Sequence, residues 1–124
     1  MADLSIKLGD VFLVETPIKP HYFIAIAETG NNKYLFVPVI TKKPKSELAC
    51  VIKPSPQSPS FIVKESVIDY RYAREINVKE LFKVTDINSS RECCSPEILE
   101  EIKRGGVQSK RLKNRYKDIL KRFV

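Results

Sequence analysis

The sequence predicts a mainly β protein, a small antiparallel β-barrel followed by two or three C-terminal helices. Three observations carry this. The first two-thirds is cut by turn residues into short apolar runs rich in Val, Ile, Phe and Tyr, the composition of strands. No long helical periodicity separates those runs. The last third carries helix start and stop signals and an apolar stripe at helical spacing. A chain of 124 residues with 43% hydrophobic content is the size of one domain with its own core. The expected division is a barrel over 5–76 and a helical extension packed on it over 77–124.

Taken in order, DVFLVE (10–15) lies between Gly9 and the prolines Pro17 and Pro20 and reads as a first strand. HYFIAIAE (21–28) and KYLFVPVIT (33–41) flank the turn cluster TGNN and read as a hairpin, because Gly and Asn tolerate positive φ. Pro38 cannot donate to a ladder, so it should stand at an edge or a bulge. LACVIK (48–53) is a fourth strand between a basic loop and the proline-rich loop PSPQSPS. FIVKESVIDYRYA (61–73) reads as one extended segment with Ser66, Ile68, Tyr70 and Tyr72 on one face.

The helices follow. NVKELF (77–82) has Asn77 at the N-cap and Glu80 three residues on. SPEILEEIKRGG (95–106) has Ser95 at the cap, Pro96 at the first position and Gly105 as the stop. QSKRLKNRYKDILKRF (108–123) starts from Ser109 and repeats Leu112, Tyr116, Ile119, Leu120 and Phe123 on one face.

Net charge is +7, which favours acidic partners. The excess is concentrated over 110–122, where seven basic residues face the single acid Asp118. The three cysteines, Cys50, Cys93 and Cys94, form neither a disulfide framework nor a zinc pattern and read as reduced thiols. No apolar run approaches the ~20 residues that span a bilayer, and MADLSIKLGD lacks the features of a secretory signal. The expected location is the cytoplasm, with no membrane partner. No metal or cofactor is expected.

The stretches LGDVFLVETP, HYFIAIAET and YLFVPVITKK, in that order, resemble the MazF/PemK-like toxins. These are SH3-like small barrels that cleave RNA in bacterial toxin–antitoxin pairs. The resemblance covers roughly 8–75, with ESVIDYRYA where the family has a strand returning across the barrel. It implies an SH3-like fold, metal-independent endoribonuclease activity, a homodimer and an antitoxin-like protein partner. The family's catalytic Thr falls on Thr41. Its catalytic Arg falls on His21, and Tyr22 replaces the Pro that follows.

RNA cleavage needs a base for the 2′-hydroxyl, an acid for the leaving oxygen and cations for the phosphate. His21, the only histidine, supplies proton transfer in place of the arginine's fixed charge. With Thr41 and Ser66 it forms the expected catalytic set. Lys42, Lys43, Lys64, Tyr70 and Arg71 are the expected substrate contacts. Lys110, Arg111, Lys113, Arg115 and Lys117 are the expected nucleic-acid contacts. Tyr22 and Tyr72 offer stacking surfaces.

Blander readings stand beside these. His21 can be a structural hydrogen-bonder, Thr41 can end a strand, Tyr70 and Tyr72 can pack under the helices, and the lysines can be solvated. A Ser66–His21–Asp69 hydrolase triad lacks a nucleophile-elbow pattern. The alternative function is a non-catalytic nucleic-acid- or protein-binding module on the same barrel.

Overall fold

The computed structural model describes residues 6–14, 20–84 and 92–122. Glu15, Pro17 and Phe123, used above, lie outside the described residues. Among the described residues, six strands form one antiparallel sheet: β1 (Val11–Val14), β2 (His21–Gly30), β3 (Lys33–Thr41), β4 (Val51–Ile52), β5 (Ser66–Ile68) and β6 (Arg74–Asn77). Three α-helices accompany them among the described residues: α1 (Val78–Val84), α2 (Pro96–Gln108) and α3 (Asn114–Lys121). The β-rich body and C-terminal helices match the fold class that the patterning predicts.

The β2–β3 hairpin forms where expected. Gly30 pairs with Lys33 across Asn31 and Asn32, and Asn32 takes a φ of 58°, which asparagine tolerates better than most side chains. A bulge between Ala25 and Ala27 sends Ile24, Ile26 and Ala27 into one apolar cluster. Gly9 takes a φ of 98°. Its N–H donates to the Ala25 carbonyl and Asp10 Oδ2 accepts from Lys7 N, so the Gly-Asp pair closes the turn into β1.

The segment 61–73 is not one extended strand. β5 lies against Val39–Thr41 and β6 against Lys33–Phe36, both on the same edge of β3. A 3₁₀ turn over Tyr70–Tyr72 separates them. Pro38 stands opposite that break. Its carbonyl accepts from Asp69 N at 2.9 Å, and the carbonyl and nitrogen of a strand residue face the same neighbour. The missing N–H therefore points at the interruption, so an imino acid is tolerated in a strand paired on both sides. β6 itself was not anticipated, because the turn resets the alternation that would have marked it.

The sheet carries a core on each face. One cluster joins Ile24, Val37, Val39 and Ile68 to Ile98, Ile102, Leu112, Tyr116 and Leu120 of the C-terminal segments. The other joins Phe12, Val14, Phe23, Ala25 and Phe36 to Val78 and Leu81 of α1. Two-sided cover explains why β2 and β3 read as nearly continuous apolar runs.

Helix starts follow the sequence more closely than helix ends. Asn77 Oδ1 accepts from Lys79 N at 2.8 Å, and Ser95 Oγ accepts from Ile98 N at 3.2 Å, both N-caps. Gly105 does not stop α2, which continues to Gln108. Nor does Ser109 open α3, which begins five residues later. Ser109 Oγ instead donates to Glu47 at 2.7 Å and accepts from Arg111 N and Leu112 N. This clasp holds 109–113 as a tight non-helical link.

Candidate nucleic-acid interface

Residue alternation decides where the polar side chains go. His21 pairs with Val14 and Phe23 with Pro38, so the imidazole shares a sheet face with Phe23, Pro38 and Ile40. Tyr22 pairs with Val39, and Thr41 pairs with Ser66. Thr41 and Ser66 therefore stand on the opposite face. The expected catalytic trio is not gathered at one point.

His21 lines a pocket of about 500 Å³ with Phe23, Pro38, Ile40, Asp69, Arg71, Tyr72, Ala73, Arg74 and Lys113. Its floor is apolar and its rim carries three cations against one carboxylate. Each cation arrives from a different local cause. Arg71 lies in the 3₁₀ turn that Pro38 makes room for. Arg74 opens β6, pairs with Phe36 and lies over the Phe23 ring at 5.0 Å. Lys113 is delivered by the link that Glu47 and Ser109 clasp.

The Asp69 side chain is buried, and its Oδ2 accepts from the exposed Arg71 guanidinium at 3.2 Å. This hydrogen bond and the opposite charge raise the Arg71 pKa further above its ordinary value. Arg71 also stacks over Tyr72 at 4.7 Å, and Tyr72 stays exposed. Three cations around an apolar floor are chemically suited to an anion that carries a flat apolar group.

Thr41 lies in a second groove, of about 450 Å³, with Lys42, Lys43, Pro44, Leu48, Lys64 and Glu65. Lys42 pairs with Glu65 at 3.5 Å. Ser66 is buried and donates its hydroxyl to the Lys64 carbonyl at 2.9 Å. Tyr70, expected as a substrate contact, is 1% exposed and donates to the Ile102 carbonyl at 2.6 Å. Packing against α2 has taken it out of reach of any substrate.

The basic C-terminal residues do not act as one face. Lys113 lines the His21 pocket. Arg115 is paired with Glu75, and Arg111 donates to the Lys45 carbonyl at 3.2 Å. Lys110 donates its backbone N–H to Glu47 and keeps an exposed side chain, and Lys117 is half-buried. Arg74 was missed as a pocket residue, and Asp69 was weighed beside His21 only as a member of a hydrolase triad. The sequence signal for Arg74 was its proximity to Arg71 and Tyr72. Among the described residues, no group of His, Cys, Asp or Glu is arranged to hold a metal ion. No helix among them is long and apolar enough to cross a membrane.

No protein-family model matches the chain, and no curated protein matches it in sequence. Among solved structures, it is similar to an endoribonuclease in complex with its cognate antitoxin from a mycobacterial species. The TM-score is 0.57 at 9% identity, over 82% of this chain and 90% of that one. The likeness is one of fold.

Proposed function

We propose that the protein is a toxin-type endoribonuclease that binds single-stranded RNA in the His21 pocket and cleaves it without a metal. The observation that carries this reading is the meeting of His21 with Arg71, Arg74 and Lys113 around one pocket. The shared fold with an endoribonuclease supports it. Arg74 and Lys113 take the phosphodiester with Arg71 beside them, and the exposed Tyr72 offers surface to a base. His21 accepts the 2′-hydroxyl proton as the 2′-oxygen attacks phosphorus. The P–O5′ bond breaks, the 5′-oxygen takes a proton from water, and a 2′,3′-cyclic phosphate remains. The ribose supplies the nucleophile, so no metal-activated water is required.

Thr41, Lys42, Lys43 and Lys64 serve in this reading as a separate contact for the RNA backbone. The neighbour's antitoxin suggests an acidic protein partner, and the resemblance to the toxins suggests a homodimer. A non-catalytic RNA-binding module is the second reading. It is favoured by the placement of Thr41 and Ser66 on the face away from His21.

Incubation with unstructured RNA in EDTA, followed by end-group analysis, separates the two. Cyclic-phosphate ends that vanish in His21→Ala support the nuclease. Salt-sensitive binding with intact RNA supports the module.

A further inference from the structure

The rim of the His21 pocket offers a specific hydrogen-bond pattern as well as charge. Asp69 presents a carboxylate whose two oxygens only accept. Among the described residues, Arg71 donates to Oδ2 and no donor reaches Oδ1. The Arg71 fork lies 3.2 Å beyond Oδ2. The Asp69–Arg71 pair thus offers two acceptor oxygens and an adjoining donor at the pocket. Phe23, Pro38, Ile40 and Ala73 provide apolar surface beside it.

A nucleobase held in this pocket must show donor, donor, acceptor. Guanine does so through its N2 amine, its N1–H and its O6. Adenine offers one donor group and one acceptor, cytosine one donor group and two acceptors, and uracil one N–H between two carbonyls. Unpaired RNA bases are read on their Watson–Crick edges in this way. A buried acceptor left without its donor penalises the wrong base strongly.

We propose that the pocket reads an unpaired guanine of an RNA strand, with Asp69 accepting from N1–H and N2–H and Arg71 donating to O6. Arg74 and Lys113 hold the adjoining phosphates. The assignment rests on the RNA reading of the pocket given above.

The test is equilibrium binding of the full chain to the pentanucleotides r(UUGUU), r(UUIUU), r(UUAUU) and r(UUUUU). Each carries 2′-fluoro sugars to block cleavage. Guanine is expected to bind roughly tenfold or more tighter than adenine or uracil, the scale of one bidentate base contact. Inosine, which lacks the N2 amine, should fall between. Asp69→Asn should erase most of the preference, lowering r(UUGUU) binding far more than r(UUUUU) binding. Arg71→Lys, at an exposed position, keeps the charge but loses the planar fork, and should lower r(UUGUU) binding more than r(UUUUU) binding if the Asn variant fails to fold.

Equal binding of all four strands overturns the guanine assignment and leaves the RNA reading standing. Binding of none overturns both. Guanosine monophosphate should compete far more weakly than r(UUGUU), for want of flanking phosphates. Equal competition would overturn an RNA strand as the source of the base.

Discussion

His21 lies opposite Val14 in the β1–β2 pair, whereas Thr41 lies opposite Ser66 in the β3–β5 pair, and the two side chains stand over opposite faces of one sheet. A proton-transfer group and a hydroxyl on opposite faces cannot meet on one phosphate. His21→Ala is expected to lower the rate of RNA cleavage by about 10²–10⁴, the usual contribution of a general base. Thr41→Val should leave the rate of cleavage at saturating RNA within a few-fold of wild type. Single-turnover kinetics on one labelled strand measures both. Equal losses would contradict the separation.

The cations of the C-terminal segment differ in what they already touch. Lys113 lines the pocket and Arg115 is paired with Glu75. Lys113→Ala should weaken RNA binding and flatten the log K against log salt slope by about 0.7, the value for one phosphate contact on a single strand. Arg115→Ala should change that slope much less. Fluorescence anisotropy from low to moderate salt reads the difference.

Gly105 is a glycine for steric reasons. A Cβ there would stand 2.5 Å from Tyr70 Oη and 2.7 Å from the Ala49 carbonyl oxygen. Gly105→Ala would gain about 1 kcal/mol of helix propensity, but the backbone oxygen cannot yield. Overpacking of this kind costs about 1–3 kcal/mol, so the variant should be no more stable than wild type and is expected to be less so. Tyr70→Phe removes the hydrogen bond to the Ile102 carbonyl, which keeps its helical partner, and should cost about 0.5–1.5 kcal/mol, the net worth of one hydrogen bond. Urea denaturation measures both.

Alkaline pH should destabilise the fold. Burial raises the Cys50 thiol to about 11 and the Cys94 thiol to about 12, from an ordinary 9.0, and it raises the Tyr70 phenol as well. In the unfolded chain these thiols ionise near their ordinary value, before they can in the fold. The stability tied to their neutral forms is present below about pH 9 and is lost as pH rises through about 11–12. Denaturation midpoints at pH 8 and pH 11 should fall, and Cys94→Ala should reduce the fall. Native Cys50 and Cys94 should also alkylate slowly at pH 8, because the thiolate is the reactive form.

Much of the fold was legible because its causes are local. The TGNN turn, the alternating and continuous apolar runs, the Asn77 and Ser95 caps and the stripe of Leu112, Tyr116 and Leu120 each follow from residues within a few positions of one another. Helix ends were less legible. Gly105 reads as a stop by propensity, yet it is retained inside α2 because Tyr70, far away in sequence, presses against it. Ser109 reads as a cap, yet Glu47 draws its hydroxyl elsewhere.

The sequence by itself determined the alternation of β2 and β3, the start points of α1 and α2, the excess positive charge and the single histidine. Composition and short-range periodicity set these, and tertiary contacts do not alter them. Only the tertiary structure decided which polar groups share a space. The 3₁₀ turn at Tyr70–Tyr72 broke the parity of its segment, buried Tyr70 and turned Asp69 and Arg71 to the pocket of His21. The clasp on Ser109 then carried Lys113 to the same place. Each of these depends on pairing between residues distant in the chain, and a side chain's own type and spacing carry no record of which distant partner it will meet.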